Sequence, residues 1–261
     1  MKFLASLSIF FLFIEYSKFH GGTYAILTGD YVQDIKHANY MVSIRIKRGN
    51  DDYLCGGVIY DCDKFVTAAH CLYNITSATV SLASLDPLDD TFSFDLEKDA
   101  FVIHQDWHPG LYDHDIAVGF TPMEMIFCDD INKIEVVERN FTVKENLSVA
   151  AYGYGTSNND VIDNLRQTVT HVMKFATCSG SYSSGSVSVF RENMHFCLKL
   201  AQNGENHVSK GDSGGPIVST ETGELVGIIA TSAVGKPDVC IKIASYKQFL
   251  ADPDRFARRH G

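Results

Sequence analysis

The stretch "SKGDSGGP", residues 209–216, sets a serine between an aspartate and two glycines, with a third glycine two residues ahead of it. A serine hydroxyl is a poor nucleophile by itself. It needs a base to take its proton and donors to hold the oxyanion that its attack creates. Glycines let backbone N–H groups approach a reacting carbonyl with no Cβ in the way. Ser213 is therefore a candidate nucleophile if the rest of the chain supplies a base and an acid to orient it.

Two other stretches supply them. "CGGVIYDCDKFVTAAHC", Cys55 to Cys71, ends on His70 beside a cysteine that can pin it; "DHDIAVGF", Asp113 to Phe120, sets Asp115 at the head of an apolar strand. A partly buried carboxylate beside an imidazole holds its tautomer and stabilises the imidazolium that forms. Taken singly, each piece has a plainer reading: a solvated histidine, a turn aspartate, a glycine-rich loop. The order His70, Asp115, Ser213 with these flanks argues against all three.

Working outward, the chain of 261 residues is long enough for one large β domain or two small ones, and its 45% hydrophobic content supports a sizeable core. A net charge of −10 argues against nucleic-acid or membrane-surface partners, which call for a basic face, and fits a soluble surface. Short apolar runs rich in β-branched residues recur between turn signals: Tyr40–Ile46, Phe65–Ala69, Asp115–Phe120, Leu147–Gly153 and Glu224–Ala230. No long segment keeps a helical period. A helix is expected only at the end, around "YKQFLADPDRFARRHG", with a break and restart at Asp252-Pro253. The expected class is all-β, a sandwich or a pair of barrels.

The first residues pair Lys2 with an apolar run from Phe3 to Ile14, too short for a membrane span and suited to a signal-peptide core. Cleavage is expected between Ser17 and Gly22. Three glycosylation sequons begin at Asn74, Asn140 and Asn146, and seven cysteines fit an oxidising compartment. Seven is odd, so one thiol is left over or joins another chain. The expected location is secreted, extracellular. Neither a metal nor an organic cofactor is expected.

"TAAHC", "DIAV" and "GDSGGP" resemble the chymotrypsin/trypsin-like serine endopeptidases, and the resemblance runs from about Ile26 to the C-terminus. It implies an all-β fold of two six-stranded antiparallel β-barrels with a C-terminal helix and the site in the cleft between the barrels. With the leader read as a signal peptide at 1–21, it implies a short propeptide at 22–25 and a protease domain at 26–261. His70 would be the general base, Asp115 its orienting acid and Ser213 the nucleophile, with the N–H groups of Gly211 and Ser213 as the oxyanion hole. A freed N-terminus at Ile26 would pair with Asp212. The usual Ile-Val-Gly-Gly reads here Ile26-Leu27-Thr28-Gly29, and residue 25 is alanine. That argues against self-activation by a trypsin-like cut and implies a different activating protease, or none. The disulfides Cys55–Cys71 and Cys178–Cys197 match family pairs. The bridge that ties the nucleophile loop to the specificity wall is missing, since Ser209 stands at its first position. Of the rest, Cys62 and Cys128 are expected to pair, leaving Cys240 odd.

The primary pocket departs from the family. His207 stands at the floor where relatives carry Asp or Ser. The wall run Ser-Trp-Gly becomes Ala230-Thr231-Ser232, so Ala230 removes a hydroxyl that supports the triad aspartate and Ser232 narrows the mouth. Asp238 stands where Gly is usual. Three readings stand open: Asp238 supplies the charge that favours Arg or Lys; His207 and Asp238 pair and fill the pocket; or the alignment slips here by a residue or two. Lys210, beside the oxyanion glycine, either steers acidic substrates or blocks the cleft. The functional reading is a secreted serine endopeptidase of altered specificity, a monomer acting on protein or peptide substrates and open to protein inhibitors. The alternatives are a catalytically silent homologue that binds a partner through the protease surface, and an esterase whose closed pocket excludes peptides.

Overall fold

The structure, a computed structural model, describes residues 29–155, 164–182, 189–201 and 206–257. The expected signal peptide, the propeptide and Ile26 lie outside the described residues.

Strand β1 (Asp30–Tyr31) opens the described chain. β2 (Met41–Arg48), β3 (Asp51–Asp61), β4 (Lys64–Thr67), β5 (Ser77–Leu82), β6 (Ser93–Glu97), β7 (Phe101–Ile103) and β8 (Ala117–Phe120) form one antiparallel sheet in the order β6-β5-β2-β3-β4-β8-β7. β9 (Ser148–Gly153), β10 (Arg166–His171), β11 (His195–Cys197), β12 (Pro216–Ser219), β13 (Leu225–Ala233) and β14 (Lys236–Lys242) form the second with β1, in the order β1-β10-β9-β12-β13-β14-β11. Among the described residues each sheet therefore has seven strands rather than the expected six. β1, two residues long, joins the second sheet by pairing with β10.

The registers explain the sequence pattern. The β2–β3 hairpin turns on two residues, with Gly49 at φ +66 where a side chain would be strained. Phe65 on β4 sits opposite Gly119 on β8, and its ring fills the space a Cβ there would need. One apolar cluster lies within the first sheet, around Ile44, Ile59, Phe65 and Val80. A second lies within the other sheet, around Ala151, Ile217, Ile229 and Phe196. A third joins the two, with Met41, Val58 and Val118 of the first packed with Tyr152, Val218 and Ile228 of the second. Full burial of such a side chain is worth about 1.5–3 kcal/mol.

Helix is sparse: the single turn α1 (Ala69–Leu72), α2 (Phe175–Tyr182) and α3 (Lys247–Ala251). The terminal helix breaks where expected, but α3 is only five residues long and the restart at Pro253–Phe256 is a 3-10 turn capped by Asp252.

The disulfides Cys55–Cys71 and Cys178–Cys197 are present. The expected Cys62–Cys128 bridge is not: Cys62, Cys128 and Cys240 are free thiols. Cys62 sits in the β3–β4 turn, where its carbonyl accepts the Met125 N–H at 2.6 Å. Cys128 belongs to a separate turn closed by its N–H to the Ile131 carbonyl (2.8 Å), and it faces solvent. The backbones thus meet three residues short of Cys128. Burial pushes the Cys240 thiol well above its ordinary pKa, which leaves it unreactive.

Candidate active site

His70 is the second residue of α1, which follows β4 with one residue between them. Three fixtures hold that turn. The Cys55–Cys71 disulfide ties it to β3. Arg48, at the end of β2, donates to the carbonyls of His70 (3.1 Å) and Cys71 (3.2 Å). Asp115, just ahead of β8, accepts the His70 backbone N–H on Oδ1 at 2.8 Å and faces Nδ1 with Oδ2 at 2.7 Å. The two-point contact fixes the ring. With the proton on Nδ1, the Nε2 lone pair is left to act as a base.

The side chain of Asp115 is 4% exposed and that of His70 38%. Burial alone would lower the His70 pKa. The charge and hydrogen bond of Asp115 outweigh it and hold the imidazole above its ordinary value, against a small opposing push from Arg48. Ala230 is buried on β13 and offers no hydroxyl. Among the described residues Asp115 accepts hydrogen bonds from His70 alone.

Behind Asp115, His114 holds φ at +59 and stacks on His104 with ring centroids 4.7 Å apart and planes 14° from parallel. Tyr246, Phe249 and Phe256 enclose His104. Burial, with the neighbouring His114, drops the His104 pKa to about 4. His104, Asp106 and His114 come close enough to suggest a metal site that their spacing in the chain did not. Rings so nearly parallel, however, cannot aim their in-plane lone pairs at one ion. The cluster packs behind the aspartate.

The loop that carries Ser213, the candidate nucleophile, joins the second sheet to this frame. Gly211 and Gly214 take φ of +100 and +80, which glycine alone adopts without strain. Gly214 lies flush against Thr67 Oγ1 and the Gly56 carbonyl, with no room for a Cβ. The Ser213 carbonyl accepts the Gly56 N–H at 2.8 Å, and Gly214 N–H reaches the Ile229 carbonyl at 2.8 Å. Ser213 is half-buried. Among the described residues no acceptor takes the N–H of Gly211 or of Ser213, and no hydrogen bond joins Ser213 Oγ to His70. Cys71 Sγ lies 3.8 Å from both His70 Nε2 and the Ser213 carbonyl.

Asp212 is fully buried. Its Oδ1 accepts the Gly155 N–H (2.7 Å), and its Oδ2 accepts both the N–H (2.7 Å) and the hydroxyl (3.2 Å) of Ser209. Ser209, at the position of the missing cysteine, thus holds the aspartate beside the nucleophile. Ile26, its expected partner, lies outside the described residues.

Of the three open readings of the primary pocket, the pairing of the His207 ring with the Asp238 carboxylate does not occur. The His207 ring turns toward Thr168, with Nδ1 3.4 Å from its Oγ1, and toward the Lys199 carbonyl. Burial lowers its pKa, against the Lys199 carbonyl, which raises it. Its backbone N–H, not its ring, donates to Asp238 Oδ2 at 2.8 Å. Asp238 Oδ1 accepts Asn206 Nδ2 at 2.8 Å. Burial raises the Asp238 pKa to about 6, against the Asn206 amide and the N–H groups of His207 and Val208, which pull it down. Asn206 escaped the sequence reading because nothing in its flanks marks it. Ser232 Oγ lies 3.5 Å from the Val208 carbonyl, and Lys210 is exposed.

A family model described as Trypsin matches residues 26–250. Trypsin eta of Drosophila erecta is 26% identical over 225 residues, spanning 82% of this chain and 84% of that protein. The vitellin-degrading protease of Bombyx mori is 26% identical over 224 residues, 83% of this chain and 81% of that protein. Among solved structures, HL collagenase superposes with a TM-score of 0.77 at 23% identity, over 87% of this chain and 98% of that one. The scabies mite inactivated protease paralogue S-I1 superposes with a TM-score of 0.71 at 23% identity, over 87% and 98%.

Proposed function

The chain belongs to the trypsin family, and from that premise we propose that it is a secreted serine endopeptidase of altered primary specificity. The observation that carries this reading is the two-point contact of His70 with Asp115, which leaves Nε2 as the base. His70 Nε2 takes the Ser213 hydroxyl proton as Oγ bonds to the scissile carbonyl carbon. The carbonyl π-electrons move to oxygen, where the N–H groups of Gly211 and Ser213 receive the charge. Collapse breaks the C–N bond, and the leaving amine takes the proton from His70. Water then repeats the sequence on the acyl-enzyme, with His70 again as base, and frees Ser213. Losing one oxyanion donor typically costs about 10²–10³ in turnover. The disulfides support export, and family relatives support protein or peptide substrates.

A silent, partner-binding homologue is the second reading. It is favoured by the contact of Ser232 with Val208, residues that by family likeness would flank the substrate slot, and a structural neighbour is described as inactivated. A fluorophosphonate probe separates the two at pH 8, applied to the secreted chain and to a form beginning at Ile26. Labelling that disappears in Ser213→Ala is the expected result. A folded protein that takes no label in either form would overturn the enzyme reading.

A further inference from the structure

The Asn206–Val208 segment and the β13–β14 hairpin face each other across the slot where, by family likeness, the side chain preceding the cut enters. Asn206, only 6% exposed, is spent entirely on that hairpin. Its Oδ1 accepts the Gly235 N–H (3.0 Å), and its Nδ2 donates to the Lys236 carbonyl (2.6 Å) and to Asp238 Oδ1 (2.8 Å). Asp238 is wholly buried, and its Oδ2 is held by the His207 N–H at 2.8 Å. A lysine or arginine entering the slot would meet no exposed carboxylate oxygen, and burying its charge unpaired is prohibitive. The mouth is narrow as well. Ser232 Oγ reaches to 3.5 Å from the Val208 carbonyl on the opposite wall, whereas a methylene chain needs about 4 Å of clearance on each side.

We infer that Asn206 and Ser232 together close the primary pocket, Asn206 by capping Asp238 at the floor and Ser232 by bridging the mouth, so that cleavage follows only small uncharged residues such as alanine, glycine or serine. This deepens the protease reading and rests on it. The same amide also ties the segment before the nucleophile to the hairpin, in place of the missing disulfide. Asn206 is a positioning residue here and Ser232 a gate; neither acts on the reacting atoms.

The test uses two readouts on the parent, on Ser232→Gly and on the double variant Asn206→Gly/Ser232→Gly, with folding checked by circular dichroism. The first is a fluorescence titration with p-aminobenzamidine, an aromatic amidinium that probes for an open anionic pocket without any turnover. The second is cleavage of a peptide library. The parent should bind no amidinium at millimolar concentration and should cut after alanine, glycine or serine at least about tenfold faster than after lysine, arginine or phenylalanine. Ser232→Gly should admit longer uncharged side chains. The double variant should bind the amidinium at least about tenfold more tightly and begin to cut after lysine and arginine.

A parent that binds the amidinium at micromolar concentration, or that cuts after lysine or phenylalanine as readily as after alanine, overturns the inference. So does a folded double variant that gains neither property. If Ser213 takes no fluorophosphonate label, the protease reading is what has failed, and the amidinium titration still decides whether Asn206 and Ser232 close the pocket.

Discussion

At the scale of single residues, the proposed role of His70 as the base predicts the pH behaviour. Burial pulls its pKa down, but Asp115 raises it past the ordinary value of 6.5. As a base it must be neutral, so kcat/KM should fall with acidification through a midpoint above 6.5. In Asp115→Asn the raising influence is gone and burial remains. The midpoint should then drop below 6.5, and turnover should fall by about 10⁴, the loss typical of a triad without its carboxylate. A pH–rate profile of both proteins checks this, and an identical acid midpoint in the two would refute it. The meeting of His70 with Asp115 was legible because the chemistry prescribes residue types and their flanks. Asn206 was not. Its partners are the backbone of Gly235 and Lys236 and a carboxylate 32 residues away, and none of these leaves a mark in the letters around it. His207 stood out for its place in the motif, yet only its N–H reaches Asp238, since nothing in sequence says which way a ring turns.

At the scale of elements, the support of the nucleophile loop comes from the end of β9. Gly155, two residues past that strand, donates its N–H to Asp212, and a Cβ on it would lie 2.5 Å from Ser209 Oγ and 2.7 Å from Asp212 Cγ. Gly155→Ala should therefore displace Asp212 and disturb the N–H groups of Gly211 and Ser213 on either side of it, with both sheets left intact. Fluorophosphonate labelling should fall by about 10²-fold, as for a lost oxyanion donor, with an unchanged circular dichroism spectrum. Labelling at the parental rate would show that the loop does not lean on β9. β2, β9 and β13 were plain from their apolar runs, whereas β3, the longest strand, and β14 carry too many polar residues and glycines to stand out. β1, β7 and β11, of two or three residues, fall below the length at which any pattern can show, and β1 adds a seventh strand to the second sheet. The Cys62–Cys128 pairing failed for a related reason. Neighbouring turns place backbones together without aiming the sulfurs.

At the scale of the whole molecule, the candidate site is divided. His70 and Asp115 stand on the first sheet, and Ser213 with its N–H donors stands on the second. The joint between them is an apolar layer, stitched by Gly56 N–H to the Ser213 carbonyl and by Tyr60 hydroxyl to the Leu250 carbonyl (3.1 Å). That the chain would make two β halves was readable from its motifs. How closely glycine backbones would abut was not: a Cβ on Gly56 would sit 2.9 Å from Gly215 Cα. A displacement of about 1 Å between reacting groups can cost about 10² in rate. Mild urea should therefore silence turnover before the circular dichroism transition begins, whereas coincident curves would mean that the joint yields only with the sheets. A divided site makes catalysis a strain gauge: the reaction reports the alignment of two bodies, and its rate should falter at the first slip between them, while each body by itself still looks sound.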